Sequence, residues 1–420
     1  MDINELLKGR AGCACGKNHV CDIERVEIGS GAVNFLPGLC EGYENIVIAA
    51  DSNTFSVCGA RVFELLRDKT EKLHVFEQDG LLIPDEQTIA ALSACVSKKT
   101  DLIVGVGSGV INDLCKYVSF KKGLPYFIVA TAPSMDGYAS VGAAMITGNM
   151  KTTFSAHVPS VIIGDVDVLR EAPMDMIKSG FGDIIGKYSA LNDWKLSALV
   201  NGEYMCDYVY NLTYETVLKT RALADGIEKR DPETIKTLTE ALVIVGIAMA
   251  YVGNSRPASG SEHHLSHYFE ITGIVKNRGY LLHGIDVVYS TVETQKLREK
   301  LLALDKIPEN IRAFDRADWE KHIRESYGYA ADGVIALQDK LNFYDPAFVS
   351  VYREKWNEIR DILREAPTSL QLCEILKTAG MDYNDFERFY GRRVIDDAVL
   401  YAKDLKDRYT VLWLYYTVLG

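Results

Sequence analysis

The chain has 420 residues, too long for one compact core, so two domains are expected. With 48% hydrophobic and 25% charged residues it reads as an ordinary globular protein. A formal net charge of −12 argues against nucleic-acid binding, which needs a basic face, and leaves any anionic substrate to a local basic pocket.

The opening Met1-Asp2-Ile3-Asn4-Glu5 is charged and lacks the apolar stretch of a secretory leader. That predicts a reducing cytoplasm with free thiols for the nine cysteines. Cys13-x-Cys15 with His19 and Cys21 is the one metal-like cluster near the start. Its spacing does not match a tetrahedral zinc knuckle and no second pair follows, so it reads as a structural turn. Residues 45–50 are a short apolar strand that ends at Asp51, and 72–76 are a second. Pro84-Asp85-Glu86 opens a helix through 96, with proline and acids in the first turn. Residues 101–105 are a third strand, the glycine turn leads into a helix to about 121, and 125–131 are a fourth strand. Strands alternating with helices predict a parallel sheet covered on both faces.

The pattern changes after about 140. Residues 144–154 and 160–166 read as strands joined by a loop with His157 and Pro159; from Met174 onward the periodicity is helical to the end. The boundary falls near 170, which predicts an α/β parallel-sheet nucleotide-binding domain over 1–170 and an all-α metal- and substrate-binding domain over 171–420. The longest apolar run, 241–252, is shorter than the roughly 20 residues a bilayer requires and reads as a buried helix, so no membrane anchor is expected.

Two constellations carry chemistry. Gly105-Val106-Gly107-Ser108-Gly109 runs from a buried strand into a helix start, where backbone N–H groups and the helix N-terminus suit a pyrophosphate. It is not the G-x-G-x-x-G fingerprint, since Val110 stands where the third glycine belongs. A tight strand–helix turn needs glycines for packing as well, so both readings stay open. Asp51 suits ribose hydroxyls and would repel a 2′-phosphate, or it simply caps a short helix. Second, four of the eight histidines lie in Ser261-Glu262-His263-His264-Leu265-Ser266-His267 and Leu282-His283-Gly284. An acidic residue stands upstream in Gly182-Asp183-Ile184-Ile185-Gly186-Lys187. One carboxylate and two imidazoles are a ligand set for a catalytic divalent metal with an open position. Ser259 to Glu262 fits a capping box, which puts His263 and His267 on one helix face and turns His264 away. Core histidines without a metal are the competing reading. Lys187, Arg256 and Lys276 are the nearby cations for a substrate phosphate, though such residues are more often solvated.

At these residues the chain resembles the iron-containing alcohol dehydrogenase and dehydroquinate synthase superfamily. The carrying segments are Gly107 to Asp113, Thr131-Ala132-Pro133-Ser134-Met135-Asp136-Gly137-Tyr138-Ala139-Ser140, Gly182 to Lys187, Pro257 to His263 and Leu282 to Gly284, within a resemblance over roughly residues 20–400. It implies that Gly109, Val110, Ile111, Asn112 and Asp113 hold the phosphates of NAD(P), and that Thr131, Ala132, Pro133, Ser134 and Ser140 line the cofactor site. It also implies that Asp51 holds the adenosine ribose. Asp183, His263 and His283 would bind one zinc or nickel ion, with Asp136, Asp183 and His267 meeting the substrate. The implied reaction is reversible reduction of dihydroxyacetone phosphate to sn-glycerol 1-phosphate by a cytoplasmic homodimer. A polyol dehydrogenase without a phosphate requirement, a cyclase that recycles its NAD, and a metal-binding scaffold without catalysis are the competing readings. A polar loop at 272–278 departs from the expected pattern at the lip of the substrate pocket.

Overall fold

The computed structural model describes residues 2–77, 80, 82–147, 150–311 and 313–420. Six strands form one parallel sheet: β1 (Arg25–Gly29), β2 (Ile46–Asp51), β3 (Thr70–Phe76), β4 (Leu102–Gly107), β5 (Tyr126–Ala130) and β8 (Val161–Asp165), in the order β1-β8-β5-β4-β2-β3. Every pairing is parallel, with Ile48 opposite Val104 and Val104 opposite Phe127. Strands β4, β5 and β8 are buried at every residue, because helices cover both faces of such a sheet. Their continuous runs of Val, Ile, Leu and Phe follow from that.

From β2 the chain steps outward to β3. From β4 it steps the other way, through β5 to β8. The direction therefore reverses between β2 and β4, whose carboxyl ends are Asp51 and Gly107. In open α/β sheets that reversal leaves a crevice beyond the strand ends where ligands bind.

The segment 144–154 is not one strand. It is an antiparallel hairpin of β6 (Gly142–Thr147) and β7 (Met150–Ser155), and residues 148–149 lie outside the described residues. Helices used below are α1 (Glu86–Cys95), α2 (Gly109–Lys122), α3 (Met174–Asn201), α4 (Asp207–Arg221), α5 (Pro232–Val252), α6 (Ser261–Val275) and α7 (His283–Leu302). Asp85 caps α1 in a reciprocal box with Thr88, as the Pro-Asp-Glu start predicts.

Contacts divide the chain into two compact units, 1–184 with 225–255 and 185–224 with 256–420. The first holds the sheet and a core of Val, Ile and Leu from its strands. It also includes α5, because that helix packs on the sheet: a Cβ at Gly164 of β8 would stand 3.2 Å from Thr239. The interleaving follows from that return, whereas the 1–170 and 171–420 division follows sequence order alone. Among the described residues α5 is the one helix long and apolar enough to cross a membrane, and 72% of its apolar window is buried in protein. The second unit is helical, with a core rich in aromatics such as Trp356, Tyr409 and Trp413.

Candidate metal centre and nucleotide turn

Strand β4 ends at Gly107, Ser108 is the N-cap of α2, and the helix begins at Gly109. Two of the three glycines answer to packing. A Cβ at Gly105 would lie 2.8 Å from Cys115 Sγ, and one at Gly107 would lie 2.6 Å from Ile111. Gly109 differs, since its Cβ would meet nothing nearer than Met135 Sδ at 3.5 Å, an ordinary contact. Packing does not require that glycine, so close approach of a ligand to the backbone is the remaining reason for it.

Side chains of this turn point inward. Ile111 and Asn112 are buried. Asp113 accepts from the Ala144 backbone N–H at 3.1 Å and pairs with Lys116 Nζ at 3.4 Å. Lys116 is fully buried and donates to the carbonyls of Gly137 at 2.9 Å and Gly142 at 2.8 Å. Burial holds its ammonium below the ordinary lysine range, against the pull of Asp113. This lysine ties α2 to the 136–142 segment, and sequence reading missed it because a lysine on an amphipathic helix reads as solvated. Asp51 is a capping residue here: its Oδ1 accepts from Thr54 N at 2.8 Å, and Thr54 Oγ1 accepts from Asp51 N.

The segment 131–140 joins the turn to α3. Thr131 N donates to the Gly107 carbonyl at 3.1 Å, and Ser108 and Ser134 share a hydroxyl bond of 2.7 Å. Tyr138 Oη donates to the Ala132 carbonyl, and Ser140 Oγ to that of Gly137. At Gly180 of α3 a Cβ would stand 1.8 Å from the Pro133 oxygen, so only glycine lets helix and loop meet. That approach lets the Asp136 backbone N–H donate to Asp183 Oδ2 at 3.0 Å. Asp183 is fully buried one turn later on the same helix.

The histidines are held by a second polar network. Gly260, not Ser259, is the N-cap of α6, and no side chain caps it. The capping box from Ser259 therefore does not form. Instead Glu262 Oε1 accepts from Gly260 N at 2.7 Å, and Asp193 Oδ2 accepts from Ser261 N at 2.7 Å. Asp193 is locked by Arg298 at 2.7 Å, both wholly buried, and also accepts from Val411 N at 2.9 Å. His263 Nδ1 donates to Glu262 at 2.7 Å, which leaves Nε2 with its lone pair. Burial holds the His263 imidazole well below the usual histidine range, hence neutral, the form that binds metals. Burial, then the like charge of Asp193, pushes the Glu262 carboxyl up to about 7.

The imidazole rings of His263 and His283 lie 5.0 Å apart, and that of His267 lies 6.1 and 5.8 Å from the two. His264 is buried among other groups, as its turn of the helix predicts. Gly186, one turn after Asp183, marks where α3 meets these helices: a Cβ there would stand 2.4 Å from Val287 of α7 and 3.5 Å from Glu262. Asp183, His263 and His283 each offer one ligand atom, and those atoms lie within 4.8 Å of one another. The structure thus brings together the three residues that the resemblance names. The polar segment 272–278 is helical as far as Val275 and turns at Asn277, so its loop is shorter than the sequence suggests. Of the proposed phosphate cations, Arg256 is buried and spent on Glu203 at 2.8 Å and the Tyr409 carbonyl at 2.7 Å. Lys187 is fully buried.

A family model described as iron-containing alcohol dehydrogenase matches residues 27–173. Solved structures share the fold: the glycerol dehydrogenase of Schizosaccharomyces pombe (TM-score 0.55, 17% identity, 93% of each chain) and the iron-containing alcohol dehydrogenase of Thermococcus thioreducens (0.55, 14%, 92% of this chain and 100% of that one). The structures share the fold alone, and the family model is what points to the iron-containing alcohol dehydrogenase class. Relatives named glycerol-1-phosphate dehydrogenase [NAD(P)+] include that of Halalkalibacterium halodurans, 34% identical over 90% of this chain and 100% of its own. That of Bacillus subtilis is 31% identical over 84% and 90%. The chain belongs to the glycerol-1-phosphate dehydrogenase family.

Proposed function

We propose that the protein catalyses reversible hydride transfer between NAD(P)H and dihydroxyacetone phosphate, taking up one proton and giving sn-glycerol 1-phosphate. The observation that carries this reading is the group of Asp183, His263 and His283, with ligand atoms within 4.8 Å of one another. The donors fit a divalent cation: a buried carboxylate and two imidazoles, one of them oriented by Glu262 and kept neutral by burial. The names of the relatives support the substrate. A cation held there supplies Lewis-acid polarisation of the carbonyl, and the dinucleotide supplies the hydride. The donor set suits zinc and nickel alike, and affinity order does not choose between them.

In this reading Asp136 holds Asp183 through its backbone N–H and faces the substrate with its carboxylate. His267, beside both ligand histidines, moves the proton to the product hydroxyl. Gly109 and Val110 present backbone N–H groups to the pyrophosphate at the strand-order reversal. Ile111, Asn112 and Asp113 support that turn from beneath. Thr131, Ala132, Pro133, Ser134 and Ser140 form the wall beside it, and Asp51 takes the ribose at the end of β2. A small diffusible substrate and the burial of α5 support a cytoplasmic setting, and a homodimer is the family expectation.

The test is NADH oxidation by metal-stripped protein re-supplied with zinc or nickel. Dihydroxyacetone phosphate should be reduced stoichiometrically, unphosphorylated dihydroxyacetone far more slowly, and the product should be inert to an enzyme specific for the 3-phosphate isomer. Equal rates on both ketones would favour a polyol dehydrogenase. Turnover without net NADH change would favour a cyclase.

A further inference from the structure

The cysteine-rich start of the chain is unused by the chemistry above, and it is more than a turn. Gly16 N donates to the Cys13 carbonyl at 2.9 Å, with Gly16 at φ +82°, where glycine is favoured. Arg10 and His19 exchange backbone hydrogen bonds of 2.8 and 2.9 Å, and Gly12 N donates to Asn18 Oδ1 at 2.9 Å. This small hairpin presents Cys13, Cys15 and His19 from one end. Cys206, the N-cap of α4, supplies a further thiol. The ligand atoms of Cys13, Cys15, His19 and Cys206 all lie within 4.8 Å of one another. Cys21, which the spacing suggested as a member, is not in the group.

We propose that Cys13, Cys15, His19 and Cys206 form a second, sulfur-rich metal site of the structural zinc type, separate from the catalytic cation. Four observations converge on it. The donor set, three sulfurs and one imidazole, is a Cys3His set that closes a tetrahedron and leaves no open position for substrate. The imidazole is oriented to ligate, because His19 Nδ1 donates to the Tyr251 carbonyl at 2.9 Å and Nε2 therefore carries the lone pair toward the sulfurs. The Cys15 Sγ to His19 Nε2 distance is 3.5 Å. Two such ligands on one tetrahedral zinc, with usual Zn–S and Zn–N lengths, stand about 3.6 Å apart. Burial agrees, since Cys13 and His19 are buried and Cys206 is wholly so. Sequence reading sought a second pair of cysteines close by; the fourth donor is a single cysteine far along the chain. Metal binding there displaces thiol protons and adds its free energy to the folded state.

The experiment uses cobalt(II) in the full chain under reducing, anaerobic conditions. Thiolate-to-cobalt charge transfer in the near ultraviolet reports this site alone, because the Asp–His–His group has no sulfur. In a His263→Ala/His283→Ala protein, about one equivalent of cobalt should bind with that band. Adding Cys206→Ser should remove or sharply weaken it, as should Cys13→Ser/Cys15→Ser, while Cys21→Ser should leave it intact. To guard against unfolding in the variants, the unaltered zinc-loaded protein is also titrated with a mercurial thiol reagent. About one equivalent of zinc should be released as the thiols react. Cobalt bound without the band, a band indifferent to Cys206→Ser, or no zinc released by the mercurial would overturn the proposal.

Discussion

The glycine turn at the end of β4 and the N-terminus of α6 are both strand- or loop-to-helix junctions, yet they are built in opposite ways. At the turn the side chains face inward: Ile111 fills the space that Gly107 vacates, and Asp113 and Lys116 hold the 136–144 backbone. What the turn offers a ligand is backbone N–H. At α6 the backbone N–H groups are consumed, Gly260 by Glu262 and Ser261 by Asp193, and the side chains His263 and His267 face the site. One junction is a surface for binding phosphate; the other is a frame for aiming imidazoles.

Several substitutions would break or sharpen that contrast. The largest effect is expected at the metal ligands. His263→Ala should lower kcat/KM by roughly 10³-fold or more, as loss of one electrostatic stabiliser already costs 10²–10³, with far-ultraviolet circular dichroism unchanged. Retained activity with full metal content would contradict the ligand role. Next comes the frame. Arg298→Met leaves Asp193 buried and unpaired, and should cost about 3–5 kcal/mol in denaturant unfolding; a cost below about 1 kcal/mol would show that the pair is not needed. Glu262→Gln keeps the shape but weakens the grip on His263, and should reduce metal affinity about 10–100-fold with little change in unfolding midpoint. The smallest and most discriminating comparison is within the turn. Gly107→Ala should destabilise the fold by about 1–3 kcal/mol through its clash with Ile111. Gly109→Ala should leave stability within about 1 kcal/mol and instead raise KM for NADH. If both act on stability alike, the turn is packing and nothing more.

Much of the first unit was legible because β2, β4, β5 and β8 are continuous apolar runs, and because a carboxylate and glycines fall at strand ends; β1, Arg25-Val26-Glu27-Ile28-Gly29 at the edge of the sheet, carries charges and shows no such run. The histidine segment was legible from density and from its helical spacing. Other features depend on chain segments far apart in sequence, and no local pattern reports them. Asp193 reaches Ser261, Arg298 and Val411; Lys116 reaches Gly137 and Gly142; Cys206 joins a hairpin that ends before residue 20. Burying a full charge costs so much that a lone Lys or Asp on a helix is read as solvated until its partners are seen. Local rules also failed where tertiary contacts outbid them: the Ser259 capping box yields because Asp193 and Glu262 already serve the first N–H groups of α6.

The most direct measurement is a zinc titration of metal-stripped Cys13→Ser/Cys15→Ser protein, with and without Asp183→Ala, followed by NADH oxidation with dihydroxyacetone phosphate. About one tight zinc and full activity are expected where Asp183 is present, and neither where it is replaced. Equal zinc and equal activity in the two proteins would contradict the account.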